Sequence, residues 1–306
     1  MSLTVNQITN FHGFPKAAEL IEITGTQALE ASDRAIYNHM LQIAHDSGKL
    51  TEPDAEWTVT LASLRREGSR HESNDRIRAS LRRIRRTEVV IRYISQRTGK
   101  PRILETNLLT FTDTDEEDSA EATIEYSIPK RLRVILERSN RWGRIRCTVS
   151  YAMTSKYAIA LYEMLCLRIN LHQCLETIDI KKFRELLGVP DGAYDRGLDF
   201  QRKVIEPAVL EVNKLSDLSV VINPKRRHAR APIDSIVMGW AKKSGEDFSE
   251  VQKELSRSKV GRTARLKGRV ETIRQQTLLS PLPVATEGDW RDNVPPLPPF
   301  GASDLE

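Results

Sequence analysis

Arginine is the residue type in this sequence whose spacing points most clearly to a chemical function, the binding of an anionic partner. Arginines crowd into one predicted helix over residues 73–86, SNDRIRASLRRIRR. An apolar stripe at Ile77, Leu81 and Ile84 marks the buried side of that helix, because these positions recur at helical spacing. Like charges on the other side repel one another, and a polyanion would relieve the repulsion. The five arginines on that exposed side are Arg76, Arg78, Arg82, Arg83 and Arg86.

A second basic set lies near residue 200. A long helix is predicted over about 195–215, and Pro207 should kink it because proline lacks a backbone donor. The side chains that point away from its buried side near the N-terminal end are Arg196, Asp199, Arg202 and Lys203. That end of a recognition helix reaches base edges in DNA. A basic hairpin tip follows, and its candidate DNA contacts are Arg226, Arg227 and Arg230.

Each basic set also has a simpler interpretation. Arginines on a lone helix can form a solvated face, and Arg202 and Lys203 can be ordinary surface residues. A charged hairpin tip can serve only to block edge pairing between strands. We favour DNA contact because each set falls at the recognition helix or the wing of a repeated pattern.

The repeated pattern consists of two copies of helix, strand, helix, helix and hairpin. The first copy comprises helix 28–46, strand 57–61, helix 61–67, helix 73–86 and the strands 87–95 and 102–111. The second comprises helix 154–170, strand 175–178, helix 180–187, helix 195–215 and the strands 218–222 and 234–240. This order is that of a winged helix-turn-helix. The predicted fold is therefore α+β, mainly α, with two tandem winged helix-turn-helix domains and a disordered C-terminal tail.

Length and composition agree with two domains. The chain has 306 residues, of which 39% are hydrophobic and 29% charged, and about 150 residues per domain is usual. The predicted divisions are an N-terminal arm at 1–27, a first domain at 28–148, a second at 149–243, and a basic segment with a proline-rich acidic tail at 244–306. Arginine dominates the basic residues, and it suits paired hydrogen bonds to phosphate and guanine.

Several classes of protein are disfavoured. No stretch reaches 18 apolar residues, so no transmembrane helix is expected, and the N-terminus lacks the pattern of a secretory signal. Cys147, Cys166 and Cys174 form no CxxC pair, which disfavours a disulfide framework or a zinc finger. A reducing cytoplasm is the expected compartment.

Enzymatic readings find little support in the residues. No P-loop occurs, so no ATPase activity is evident. No two histidines are spaced H-x-H, as the metal site of a rolling-circle nickase requires. Asp113 and Asp115 could imitate a polymerase carboxylate pair, but they lie in a polar acidic run, which indicates a solvated loop. The calcium-loop template fails at Asp118, and His172 with Cys174 lacks further ligands. We therefore expect no catalytic residue, no metal and no cofactor.

Three stretches make a resemblance specific: TSKYAIALYEML through IDIKKFRELLG, then AYDRGLDFQRKVIEPAVLEVNKLSDLSV, then a basic turn and strand. They resemble iteron-binding plasmid replication initiators of the Rep_3 (RepA/RepE) type. The resemblance is strongest over about 150–240 and weaker over about 28–148. The acidic insertion at 113–121 is longer than a typical wing of this family, so DNA contact along that hairpin is not expected.

The resemblance implies a function. Monomers of the family bind double-stranded origin repeats, and homodimers repress the initiator's own gene. The second domain provides most base reading, which places that role on Arg196, Arg202 and Lys203, and the first adds backbone contacts and dimerisation. The implied partners are a host initiator ATPase and the replicative helicase, in a bacterial cytoplasm. Two alternatives remain open: a winged-helix transcriptional repressor with no replication role, and an interaction scaffold that uses the tail and the acidic loop.

Overall fold

The computed structural model describes residues 3–65, 73–95, 97–117, 119, 121–171, 173–228 and 231–268. Contacts divide the chain into two units, Met1–Val260 and Gly261–Glu306. The first unit contains all the elements discussed below. Within the second, the described residues form one short helix, Arg262–Leu266. The tail predicted as disordered, 280–306, lies outside the described residues.

The elements of the first unit alternate between short strands and helices. In the first part of the chain they are a 3-10 helix (Thr4–Asn6), β1 (Phe14–Ala17), α1 (Ala18–Ile21), α2 (Ala31–Asp46), a 3-10 helix (Lys49–Thr51), β2 (Trp57–Thr60), α3 (Asn74–Arg86), β3 (Glu88–Ile94), β4 (Pro101–Asn107), β5 (Phe111–Thr114), β6 (Thr123–Ser127), α4 (Lys130–Arg138), β7 (Trp142–Ile145) and α5 (Cys147–Ala152). In the second part they are α6 (Lys156–Arg168), β8 (Leu175–Asp179), α7 (Ile180–Leu187), α8 (Gly197–Phe200), a π turn (Gln201–Ile205), α9 (Glu206–Leu215), β9 (Leu218–Arg226), β10 (Ile233–Lys242) and α10 (Gly245–Ser256).

The first winged helix is formed by α2, β2, α3 and the hairpin β5–β6. Its three-stranded sheet has the order β2-β6-β5, with both pairs antiparallel. Strand β6 is central because Ile124 lies opposite Val59 of β2 and Thr114 of β5. Ile124 and Tyr126 are buried and Glu125 between them is exposed, the alternation of a half-buried strand. The predicted α+β fold with a winged helix here is confirmed.

The wing of this first winged helix is not the hairpin predicted from the sequence. The runs 87–95 and 102–111 do pair, as β3 and β4, with Ile91 opposite Leu104. They form a separate two-stranded sheet inserted between α3 and β5. The wing is the β5–β6 hairpin, and the acidic run lies at its tip. Strand β6 escapes prediction because the buried Ile124 and Tyr126 stand at the end of a run dominated by carboxylates.

The short helix predicted over 61–67 is also wrong for the residues that the structure describes. Residues 61–64 form consecutive turns, and residues 66–72 lie outside the described ranges. Leu61 and Leu64 are nevertheless buried, so these two positions belong to the core although they are not in a helix. Two leucines three residues apart fit a chain of tight turns as well as they fit a helix.

The second winged helix follows the predicted order throughout. It comprises α6, β8, α7, the helix from Gly197 to Leu215, and the hairpin β9–β10. The sheet order is β8-β10-β9, and Ile236 of β10 lies opposite Ile178 of β8. The hairpin strands are longer than predicted, since β9 reaches Arg226 and β10 starts at Ile233. Lys225 and Arg226, the first basic residues of the predicted hairpin tip, are therefore paired with β10 as part of β9.

Part of the predicted N-terminal arm is built into the first module. Strand β1 pairs antiparallel with β7, with Phe14 opposite Ile145, and all four of its residues are buried. Gly13 precedes it with a φ of 111°. A Cβ there would lie 2.2 Å from the Ile145 carbonyl oxygen, so this entry into the strand requires glycine.

A buried polar network ties β1 to the two modules. The Lys16 ammonium on β1 donates to Asn38 Oδ1 of α2 at 2.8 Å and to Glu163 Oε2 of α6 at 2.9 Å. Asn38 Nδ2 completes the triangle by donating to Glu163 Oε1 at 2.7 Å. Burial lowers the pKa of Lys16, and the charge of Glu163 opposes that shift. The network fixes α6, which opens the second module, against α2, which opens the first.

Candidate DNA interface

Helix α3 presents most of its arginines to solvent. Ser73 caps it by accepting a hydrogen bond from the Arg76 amide, a role for which serine is one of the preferred residues. Ile77, Leu81 and Ile84 are buried and fix which side faces outward. The arginines of this helix that the structure places on the exposed side are Arg76, Arg82, Arg85 and Arg86. Arg85 was not among the residues selected from the sequence.

Arg83 faces α2 instead of the exposed side of α3. Its Nε and Nη2 donate to the Asp33 carboxylate at 2.8 and 2.9 Å, and Nη2 also reaches Glu30 at 3.2 Å. Asp33 is fully buried, and hydrogen bonding to it raises the pKa of Arg83. The Arg83 guanidinium is therefore paired with a buried carboxylate. For this reason Arg83 is not among the DNA contacts proposed below.

Substitution of Arg83 is therefore expected to lower the stability of the fold, whereas substitution of Arg86 is expected to weaken DNA binding. Arg83→Met leaves Asp33 buried without its ion pair and should lower the free energy of unfolding by about 2–3 kcal/mol. Arg86→Met, on the exposed side, should change it by less than about 0.5 kcal/mol while weakening binding to every duplex alike. Urea denaturation and gel-shift titration on the same two variants measure both quantities. Equal stability of the two variants would contradict the assignment.

Arg78 contacts the acidic wing. Its Nη2 donates to the backbone carbonyl oxygens of Asp115 at 3.0 Å and Glu117 at 3.2 Å. Its Nη1 lies 3.7 Å from the Asp75 carboxylate. Arg78 is half-buried, so the tip of the first wing lies along the edge of the exposed side of α3, near the N-terminal end of the helix.

In the second module the basic residues gather at the start of α8. Arg196 is the N-cap residue of α8 and is exposed, and Arg202, six residues later in the chain, is also exposed. Lys203 Nζ lies 3.4 Å from the Asp199 carboxylate and 5.9 Å from the centroid of the Tyr194 ring. Lys203 is thus paired with a carboxylate one turn earlier in the chain, whereas Arg202 is exposed.

Just before Pro207, where the sequence predicted a kink, the helix is locally widened. Residues Gln201–Ile205 form a π turn, in which the Glu206 amide donates to the Gln201 carbonyl. The wider turn precedes a proline that has no amide to donate to the carbonyl four residues earlier. Arg202 and Lys203 both lie on this turn, so the widened backbone sets where they leave the helix.

The turn before α8 is held by Arg184, which sequence analysis missed. Arg184 of α7 donates to the backbone carbonyls of Ala193 and Tyr194, and its guanidinium lies 4.9 Å from the centroid of the Phe200 ring. Tyr194 has a φ of 57°, a left-handed conformation that is uncommon outside glycine. No pattern of residue types could reveal the role of Arg184 in this turn. That role depends on the backbone dihedrals of Tyr194 and on the approach of α7 to α8.

Arg184 is expected to act as a positioning residue for Arg196. Arg184→Ala removes the donors that hold the turn, so it should weaken binding to the specific duplex about tenfold through loss of preorganisation. Lys182→Ala, on the exposed side of the same helix, serves as the matched control and should have little effect. Fluorescence anisotropy with labelled duplexes measures both. Identical affinities for the two variants would show that the turn needs no such support.

The second wing joins this surface at the helix start. Arg226 Nη1 donates to the Ala231 carbonyl at 2.7 Å across the hairpin. A Cβ on Gly197 would lie 2.7 Å from Arg226 Nη2, so the guanidinium rests against the first residue of α8. Arg227 is exposed, and Arg230 lies outside the described residues. Wing and helix start thus form one basic surface.

Other kinds of site find no support in the described residues. Among them, no group of three or more His, Cys, Asp or Glu side chains could hold a metal ion. Their helices are also too short or too polar to cross a membrane. Burial raises the pKa of Cys147 to about 12, so this thiol is not a reactive thiolate at neutral pH. His172 lies outside the described ranges.

The fold and its two basic helices define a tandem winged-helix protein. Residues 15–166 match the sequence model described as "Initiator Replication protein, WH1", and residues 179–240 match "Initiator Rep protein, WH2". The chain therefore belongs to the family of initiator Rep proteins, as the resemblance predicted.

A solved structure supports the same fold. "Crystal structure of Pi initiator protein in complex with iteron DNA" is similar to this chain with a TM-score of 0.55 and 15% sequence identity. The similarity covers 76% of this chain and 97% of the other. No curated protein shows significant sequence similarity.

Proposed function

We propose that the protein initiates replication of a bacterial plasmid by binding directly repeated double-stranded origin sequences, the iterons. The observation that carries this proposal is the tandem match to the two winged-helix modules of initiator Rep proteins. The solved relative was crystallised with iteron DNA, and the basic surfaces of both modules here suit a polyanion. The protein would act in the cytoplasm and as a DNA-binding protein, without a catalytic centre or cofactor.

The two modules divide the work in this proposal. The second reads bases through Arg196, Arg202 and Lys203, because the N-terminal part of a recognition helix reaches base edges. Asp199 can accept a hydrogen bond from cytosine N4 once Lys203 moves away. Arg226, Arg227 and Arg230 contact phosphates from the wing. The phosphate contacts of the first module are Arg76, Arg78, Arg82 and Arg86.

Dimerisation and host factors complete the proposal. A homodimer that represses the protein's own gene would form through the first module. Support comes from Ile94 and Ile103 of the β3–β4 hairpin, which are 61% and 62% exposed beside a cavity of about 1030 Å³. Because the sequence contains no P-loop, origin melting and helicase loading fall to a host initiator ATPase and the replicative helicase.

A genetic test separates initiation from repression alone. A replicon that carries only the repeats flanking the gene is introduced into cells with and without this protein supplied from a second plasmid. The proposal expects the replicon to persist only when the protein is present. If the repeats are bound and the promoter repressed, but the replicon never persists, the protein is a transcriptional repressor.

A further inference from the structure

The acidic wing of the first module lies along the edge of the side of α3 that faces solvent. Arg78 reaches two of its backbone carbonyls, as described above, and Asn74 Nδ2 donates to the Ser119 carbonyl at 3.1 Å. The wing therefore contacts the N-terminal turns of α3 at more than one point. In a winged helix this side of the recognition helix is the one that meets DNA.

The tip is held in shape by its own strands. The Asp115 carboxylate accepts hydrogen bonds from the Thr123 amide at 2.7 Å and from the Thr123 hydroxyl at 2.8 Å. These bonds lower the pKa of Asp115 and keep it ionised. Asp115 is therefore a structural part of the hairpin, and its exposed neighbours carry the charge that remains available to other groups.

One of these neighbours, Glu116, lies beside two arginines of α3. Arg78 and Arg82 share a cavity of about 370 Å³ with Asp115 and Glu116. Glu116 and Glu117 are exposed carboxylates of the tip, and Asp113 is an exposed carboxylate of β5, two residues before Asp115. A DNA phosphate that approached Arg82 would be repelled by these carboxylates. At about 0.1 M salt, electrostatic interactions between charges persist over roughly 10 Å before they are largely screened.

We propose that the acidic wing is an electrostatic brake that competes with DNA phosphates for Arg78 and Arg82 of α3. The acidic wing lowers the affinity of the first module for DNA of any sequence. Binding to random DNA therefore comes mainly from the second module. This inference rests on the proposed DNA binding. It assigns to the acidic run a role opposite to that of a basic wing, which adds phosphate contacts.

The test is a triple neutralisation at the tip, Asp113→Asn with Glu116→Gln and Glu117→Gln, which leaves Asp115 in place. The matched control removes the same charge from exposed positions of α10, through Glu246→Gln, Asp247→Asn and Glu250→Gln. Binding to a scrambled duplex and to a duplex with the flanking repeats is titrated across a range of salt. Thermal unfolding midpoints verify that all variants fold.

The tip variant is expected to bind the scrambled duplex about fivefold more tightly at ~0.1 M salt, with a steeper dependence on salt. The control should gain less than twofold. Adding Arg82→Gln should reduce the gain, because the brake acts through Arg78 and Arg82 and only Arg78 then remains. No gain, or an equal gain in the control, overturns the brake.

The same titration keeps the two proposals distinguishable. If the wild type prefers the repeats and the tip variant gains nothing, only the brake is wrong. If the tip variant gains on scrambled DNA and neither protein prefers the repeats, only the proposed sequence-specific function is wrong.

Discussion

Arg202→Ala is expected to weaken binding to the origin repeat by about 1–3 kcal/mol, or roughly 5- to 150-fold, because a bidentate arginine–guanine contact is worth that much. The same substitution should change binding to a scrambled duplex by less than about threefold, since there it removes only one phosphate contact. Arg202 is exposed on the π turn of the recognition helix, so its removal leaves the packing of the module intact.

Arg227→Ala is the matched control for this prediction. Arg227 is exposed on the wing, where we propose a phosphate contact, so its loss should weaken both duplexes alike. Competition gel shifts with the two duplexes at one salt concentration measure the ratio of affinities for each variant. If Arg202→Ala and Arg227→Ala lower that ratio equally, the division into base reading and phosphate contact fails.

Glu163→Gln is expected to lower the free energy of unfolding by about 3–5 kcal/mol, because it leaves a buried ammonium without its anion. Lys16 and Glu163 are 5% and 2% exposed at their side chains, so water cannot replace the lost charge. The same change should loosen the joint between the modules, since α6 is held against α2 through this network. Urea denaturation measures the loss directly.

The pH dependence of this loss provides a second readout. The pKa of Lys16 is already lowered in the folded protein, and removal of the carboxylate should lower it further. The unfolded chain then binds more protons, so stability rises with pH up to the ordinary lysine value of 10.5. The defect should therefore shrink toward pH 10. Adding Lys16→Met should also recover most of the stability. A loss below about 1 kcal/mol at pH 7 would contradict a charged network.

The second module could be predicted almost completely from the sequence. Most of its strands and helices carry apolar periodicity, and Gly188 ends α7 in the left-handed conformation that favours glycine at this position. The exception is α6, which is buried on nearly all sides and contains the buried charged residues Glu163 and Arg168. The candidate residues at the start of the recognition helix followed from the register of that helix, because Phe200 and Val204 define the buried side.

The first module was predicted less well, for physical reasons. An inserted hairpin, β3–β4, has stronger strand signals than the true wing, and local propensity cannot tell which hairpin joins the sheet. Arg83 looked like its neighbours on a helical projection, but a buried carboxylate on another helix captured it. Long-range pairing of β1 with β7 likewise leaves no local signal. These features depend on contacts between segments far apart in sequence.

The central claim is that two winged-helix modules of one chain bind neighbouring grooves of a single duplex. Hydroxyl-radical footprinting of the repeats with the purified full-length protein tests it most directly. We expect two protected patches per repeat about one helical turn, or ~34 Å, apart, within a footprint of about 20 base pairs. Protection of a single patch on each repeat, or protection without preference for the repeats, would contradict it.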